Sequence, residues 1–157
     1  MSDATLHRET AQIHAERGVF GIQEDRSAYQ HAGLAWLEMQ MDNVPVRIGR
    51  GAIRFRCLIG THRPTVTIDV RRSKAHPPSH GFELIGGGPY QSLSGEAQIW
   101  SFDGGPYLPF TLKSDSVYDL HVWRKGSDTA KARYEKSVGA IYPIVGLEEY
   151  LVQFVER

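Results

Sequence analysis

Alternation with a period of two is the feature that most limits what this chain can fold into. In "AIRFRCLIG", Ile53, Phe55, Cys57 and Ile59 fall on one side and Arg54 and Arg56 on the other. "TVTIDVRR" repeats the pattern, with Val66, Ile68 and Val70 pointing one way and Thr67, Asp69 and Arg71 the other. Successive side chains on a strand leave opposite faces of the sheet, so such a stripe marks a half-buried strand. Arg54, Arg56 and Arg71 are expected on the water side of an antiparallel sheet.

The same reading assigns strands to "QIHAE", "GVFGIQ", "GFELI", "AQIWSF", "VYDLHVWR" and "EEYLVQFVE". Between them lie Gly- and Pro-rich segments, including "GTHRP", "AHPPSHG", "IGGGPY" and "DGGPYLP", read as turns. Glycine supplies positive φ and proline fixes φ, which is why these residues punctuate a chain. "GLAWLEMQMDN" has Leu34, Leu37 and Met41 at helical spacing and is read as a helical turn. "SDTAKARYEKSV" opens on a cap at Ser127 or Asp128, continues with good helix formers and stops at Gly139. The expected fold is mainly β: an antiparallel β-sandwich of about eight to nine strands with one or two short helices. It is expected to form a single domain over residues 1–157.

The chain contains no apolar run of about 18 residues, so no transmembrane helix and no membrane partner are expected. Its polar start, "MSDATLHRETAQIHAERG", has no apolar signal-peptide region, and a cytoplasmic location is expected. Cys57 is the only cysteine, which excludes an internal disulfide and a multi-cysteine zinc site. The formal net charge is zero, but it is unevenly spread. Residues 41–80 are rich in arginine, whereas residues 81–120 carry Glu83, Glu96, Asp103, Asp115 and Asp119 against Lys113. Such asymmetry steers charged partners.

No catalytic constellation stands out. In "VYDLHVWRKGSD", Tyr118, Leu120 and Val122 are expected to face the core, leaving Asp119, His121 and Trp123 outside. Residues two apart on a strand lie about 7 Å from each other, too far for a direct Asp119–His121 hydrogen bond. Cys57 falls on the apolar face and marks no nucleophile. His62, His76 and His80 lie in turns or a proline-rich loop, and neither H-x-H nor H-E-x-x-H occurs. "IGGGPY" lacks both the G-x-G-x-x-G spacing and a Walker lysine. No pair of carboxylates is placed across a cleft. No catalytic residue, metal or cofactor is therefore expected. Tyr90, Trp100, Tyr107 and Phe110 lie near the turns, where they either cap the core or form a recognition surface.

The order of segments resembles that of competence protein J, the inhibitor of a nuclease that acts as DNA enters the cell, and its small β-sandwich relatives. Gly51, Ala52, Ile53 and Phe55 match that family's "G-A-(I/V)-x-(F/V)" strand. Tyr118 and Leu120 match its "(L/P)-x-G-x-Y-x-L" strand, although "SDSVY" lacks the glycine. Leu151, Val152 and Phe154 match its last strand, so the resemblance covers about residues 10–156. It implies a non-catalytic inhibitor or immunity protein that binds a protein partner, a toxin or nuclease, and makes no direct contact with nucleic acid. Inhibitors of this kind offer carboxylates to a basic cleft. Asp103 and Asp115, in turns of the acidic segment, are then the expected contacts, with Tyr107 as an aromatic anchor. The alternative is a carbohydrate- or small-ligand-binding sandwich that stacks its ligand on Trp100, Tyr107 and Trp123.

Overall fold

The computed structural model describes residues 5–24, 36, 39, 42–73, 78–102 and 104–157. Among these residues ten strands and one α-helix follow one another. They are β1 (Thr5–Gln12), β2 (Val19–Glu24), β3 (Val46–Gly49), β4 (Ala52–Arg56) and β5 (Arg63–Arg71), then β6 (Phe82–Gln91), β7 (Glu96–Ser101), β8 (Gly104–Thr111), β9 (Val117–Lys125), α1 (Ser127–Ser137) and β10 (Val145–Glu156). One sheet has the order β1-β5-β10-β9-β6 and the other β3-β4-β2-β7-β8. Pairing is antiparallel except between β5 and β10, which run parallel. No helix among the described residues is long and apolar enough to cross a membrane.

The core lies between the sheets and follows the alternation read from the sequence. Phe55, Ile68, Leu120 and Val152 are all buried, in register with Phe20, Ile22, Ile53, Val66 and Val122. Phe154 sits at its centre, with the rings of Tyr90, Phe110 and Tyr118 packed around it at centroid distances of 5.4, 5.4 and 6.2 Å. Burial of such side chains is the main favourable term in holding the sheets together.

The outward face of the second sheet departs from expectation. Arg54 points away from the core, as the alternation requires, yet it is only 2% exposed. Asp42 pairs with its guanidinium at 3.4 Å and the Met39 carbonyl accepts a bond at 3.3 Å. Burial, together with the nearby charges of Arg47 and Arg56, pushes the Arg54 guanidinium down from its ordinary value. The outward face is covered by Trp36, which packs with Val19 and Ala52. Gly21 makes room for it, since a Cβ there would lie 2.4 Å from the Trp36 ring. Arg56 and Arg71 are half-buried rather than fully exposed.

Two glycine-rich segments read as turns are strands: "IGGGPY" lies within β6 and "GGPYLP" within β8. The helix is found where expected, but its cap is Gly126 at φ 99°, without a side-chain bond from Ser127 or Asp128. The helical turn read in "GLAWLEMQMDN" falls largely outside the described residues.

Candidate functional site

At one end of the sandwich the inward-facing rows turn from apolar to polar. The row Ile53, Phe55 on β4 continues to Cys57; Val66, Pro64 on β5 runs back to His62. The row Leu120, Val122 on β9 continues to Arg124, and Val152, Tyr150 on β10 runs back to Glu148. All four polar groups are buried. Cys57, His62 and Glu148 each bring one ligating atom within 4.8 Å of the others.

The bonds around these groups are specific. His62 Nδ1 donates to the Gly60 carbonyl at 2.8 Å, and Nε2 lies 3.2 Å from Glu148 Oε1. The Tyr150 hydroxyl donates to Glu148 Oε1 at 3.3 Å. Leu58 N–H reaches Glu148 Oε2 at 3.5 Å, and Arg124 Nε stands 3.8 Å from the same oxygen. Burial, reinforced by the charge of Glu148, pushes the Cys57 thiol far above its ordinary value. Burial does the same to the Tyr150 phenol. Burial thus opposes formation of a nucleophilic thiolate at Cys57.

A cysteine–histidine–carboxylate relay needs the imidazole to touch the nucleophile with one nitrogen and the carboxylate with the other. Here Nδ1 is engaged by Gly60, and Nε2, which makes no hydrogen bond, faces the carboxylate, so the carboxylate does not hold the nitrogen opposite the thiol as such a relay requires. The arrangement can hold a cation, or an imidazolium against a carboxylate. A cleft of about 400 Å³ opens beside Cys57, with Arg17, Arg56, Arg124 and Asn43 in its wall. A second, of about 640 Å³, lies beside α1 and mixes Lys125, Arg133, Asp128 and Glu149.

The residues expected from sequence to meet a partner lie elsewhere. Asp103 falls outside the described residues, next in sequence to Gly104 at the start of β8. Tyr107, within β8, is half-buried and packs its ring against the core. Asp115 is exposed in the turn between β8 and β9, at φ 48°. That turn is rigidly held. Ser92 Oγ donates to the Lys113 carbonyl at 2.5 Å and accepts from Ser116 N–H at 2.9 Å, and Asp115 N–H donates to the Leu93 carbonyl at 2.8 Å. The β8 strand separates Gly104 from the Asp115 turn by about 25 Å.

The remaining sequence candidates do not assemble. Asp119 accepts a bond from Arg157 Nε at 2.8 Å, so its carboxylate is not directed to His121. Trp123 Nε1 donates to Gln153 at 2.9 Å on the outward face of the first sheet, whereas Trp100 packs on the outward face of the second. Those two rings and Tyr107 do not converge on one platform. Of the three histidines weighed, His76 lies outside the described residues and His80 lines the α1 cleft. Only His62 joins the polar end. The sequence analysis sets His62 aside on its spacing and does not reach Arg124 and Glu148, because the alternation marks only the apolar residues of each row. The signal was available: in "EEYLVQF" and "LHVWR", Glu148 and Arg124 occupy inward positions.

No protein-family model and no curated protein sequence matches the chain. Solved structures do. The crystal structure of ComJ from Bacillus subtilis, inhibitor of the DNA degrading activity of NucA, aligns with a TM-score of 0.57 at 13% identity, over 98% of this chain and 97% of that one. The crocagin biosynthetic gene J protein aligns with a TM-score of 0.52 at 14% identity, over 97% of this chain and 100% of that one. At these identities the likeness is one of fold, and at that level the resemblance read from the strand order holds: this chain has the two-sheet architecture of ComJ across nearly its whole length.

Proposed function

We propose that this protein is a non-catalytic inhibitor or immunity protein that binds and neutralises a bacterial toxin or nuclease in the cytoplasm. The observation that carries this reading is the whole-length fold likeness to ComJ. Two features support it. Cys57 is buried, and that burial pushes its thiol well above the ordinary value, which opposes a nucleophilic thiolate. Apolar surface is also presented to solvent between α1 and β10, where Val138, Ile141 and Val145 are exposed and Tyr142 is 80% exposed. Exposed aromatic and aliphatic groups of this kind mark protein-contact surfaces. Asp103, Tyr107 and Asp115 are the proposed acidic and aromatic contacts, reached by electrostatic steering of a basic partner.

The test is to capture partners from the native host with the tagged protein and to titrate the purified protein into the captured partner's DNA-cleavage assay. The expected result is a stoichiometric complex and cleavage that falls in proportion to added protein, with DNA left intact and unbound by the protein alone. Cleavage by the protein itself, or an unchanged nuclease rate at saturation, would overturn the proposal.

A further inference from the structure

His62 Nε2 is fully buried and makes no hydrogen bond, although it stands 3.2 Å from Glu148 Oε1. The Gly60 carbonyl can only accept, so the bond at Nδ1 fixes the proton on that nitrogen. In the neutral ring the Nε2 lone pair then faces a carboxylate oxygen inside the protein, a contact that needs a positive charge between the two. The Cys57 sulfur completes a group of three ligating atoms within 4.8 Å of one another. Zinc holds sulfur at about 2.3 Å and nitrogen or oxygen at about 2.0–2.2 Å, which sets neighbouring ligands about 3.2–3.7 Å apart in a tetrahedron. The pairwise distances need contract by at most about 1.1–1.6 Å to reach that spacing.

We propose that Cys57, His62 and Glu148 form a zinc-type metal site that ties the two sheets together at the polar end of the sandwich. Cys57 follows β4 in one sheet, whereas His62 immediately precedes β5 and Glu148 lies on β10 in the other. The surroundings match what such ligands require. A histidine ligand gives its second nitrogen to a carbonyl, here Gly60, and a carboxylate ligand takes hydrogen bonds, here from Tyr150 and Leu58. Thiolate with imidazole favours zinc over magnesium or calcium, which take oxygen ligands.

Binding replaces the proton on the Cys57 sulfur, and that proton leaves to solvent. The cation's two positive charges then meet one thiolate and one carboxylate, while Arg124 adds a third positive charge 3.8 Å from Oε2. An anionic fourth ligand, hydroxide or chloride, restores neutrality, and the cleft lined by Arg17 and Arg56 beside Cys57 is its route in.

This site does not depend on the partner's identity. The test titrates cobalt(II) into the metal-stripped full chain. One equivalent is expected to bind, with a thiolate-to-cobalt charge-transfer band and the intense visible bands of a tetrahedral site. Cys57→Ser should abolish the charge-transfer band, and His62→Gln and Glu148→Gln should each weaken binding about tenfold or more. Zinc should displace the cobalt and raise the unfolding midpoint of the parent protein but not of the variants. Should a variant fail to fold, the parent spectrum decides alone. Cobalt bound without a thiolate band, or no cobalt bound, overturns the proposal and leaves His62 and Glu148 as an ion pair.

Discussion

Glu24 has no exposed surface, and its carboxylate is held by three hydrogen bonds from a neighbouring segment of the chain. Leu93 N–H and Gly95 N–H donate to Oε1 at 2.8 and 2.6 Å, and the Tyr90 hydroxyl donates to Oε2. It closes the end of the core opposite Glu148. Glu24→Ala removes three charge-assisted bonds and strands two backbone donors, which should cost about 3 kcal/mol, read from the urea midpoint. At the other end, burial holds the protons of Cys57 and Tyr150 well above their ordinary values of 9.0 and 10.0. The unfolded chain loses these protons first as pH rises, so deprotonation favours unfolding. Stability of the metal-free protein is therefore complete below the ordinary thiol value of 9.0 and falls as pH climbs past it toward the raised folded values. Urea melts in EDTA across that range should show a shallower initial decline for Cys57→Ala than for the parent. Equal declines would show that the thiol does not contribute.

At the scale of elements, the two glycine-rich segments read as turns, "IGGGPY" and "GGPYLP", both belong to strands at sheet edges. β6 ends one sheet and β8 the other. Proline lacks the N–H that a central strand must donate but is tolerated on an edge, which accommodates Pro89, Pro106 and Pro109. Glycine is required in β6 for a different reason. A Cβ on Gly87 would lie 2.4 Å from the Leu120 carbonyl oxygen of the paired strand β9. The rule that Gly and Pro punctuate a chain therefore fails where a strand has a free edge or a close backbone neighbour, and neither condition is visible before the strands are paired. The central strands β5, β7 and β9 were legible because they carry clear alternation. Gly87→Ala should destabilise the protein by about 1–3 kcal/mol through that backbone clash. Hydrogen exchange should accelerate in β6 and β9 and stay slow in β2 and β4; uniform acceleration, or none, would show that the contact is not local.

For the molecule as a whole, alternation located the apolar centre of the sandwich, while the polar ends depend on how rows from both sheets meet. Cys57 was correctly placed inward, but nothing in one row reveals that His62, Arg124 and Glu148 arrive beside it from three other rows. The proposed partner surface poses the same problem of spacing. Gly104 and the Asp115 turn are about 25 Å apart along β8. An interface of standard size, about 800 Å² on each partner, is nearly 30 Å across. A partner touching both ends must then lie along β8, over Tyr107. Asp115 is exposed on a turn fixed by Ser92, so its carboxylate is displayed without loss of loop entropy on binding. As a rim charge it should act chiefly on the rate of encounter. Asp115→Ala is expected to slow association severalfold at low salt and to leave dissociation nearly unchanged, while Tyr107→Ala speeds dissociation. Asp103→Ala should weaken binding by about 2–5 kcal/mol if its carboxylate pairs with a desolvated cation, and otherwise follow Asp115. Association and dissociation rates for the three variants, measured against the captured partner at two salt concentrations, separate these outcomes. Unchanged rates and unchanged salt dependence in all three would exclude the β8 edge and direct attention to the exposed apolar segment around Tyr142.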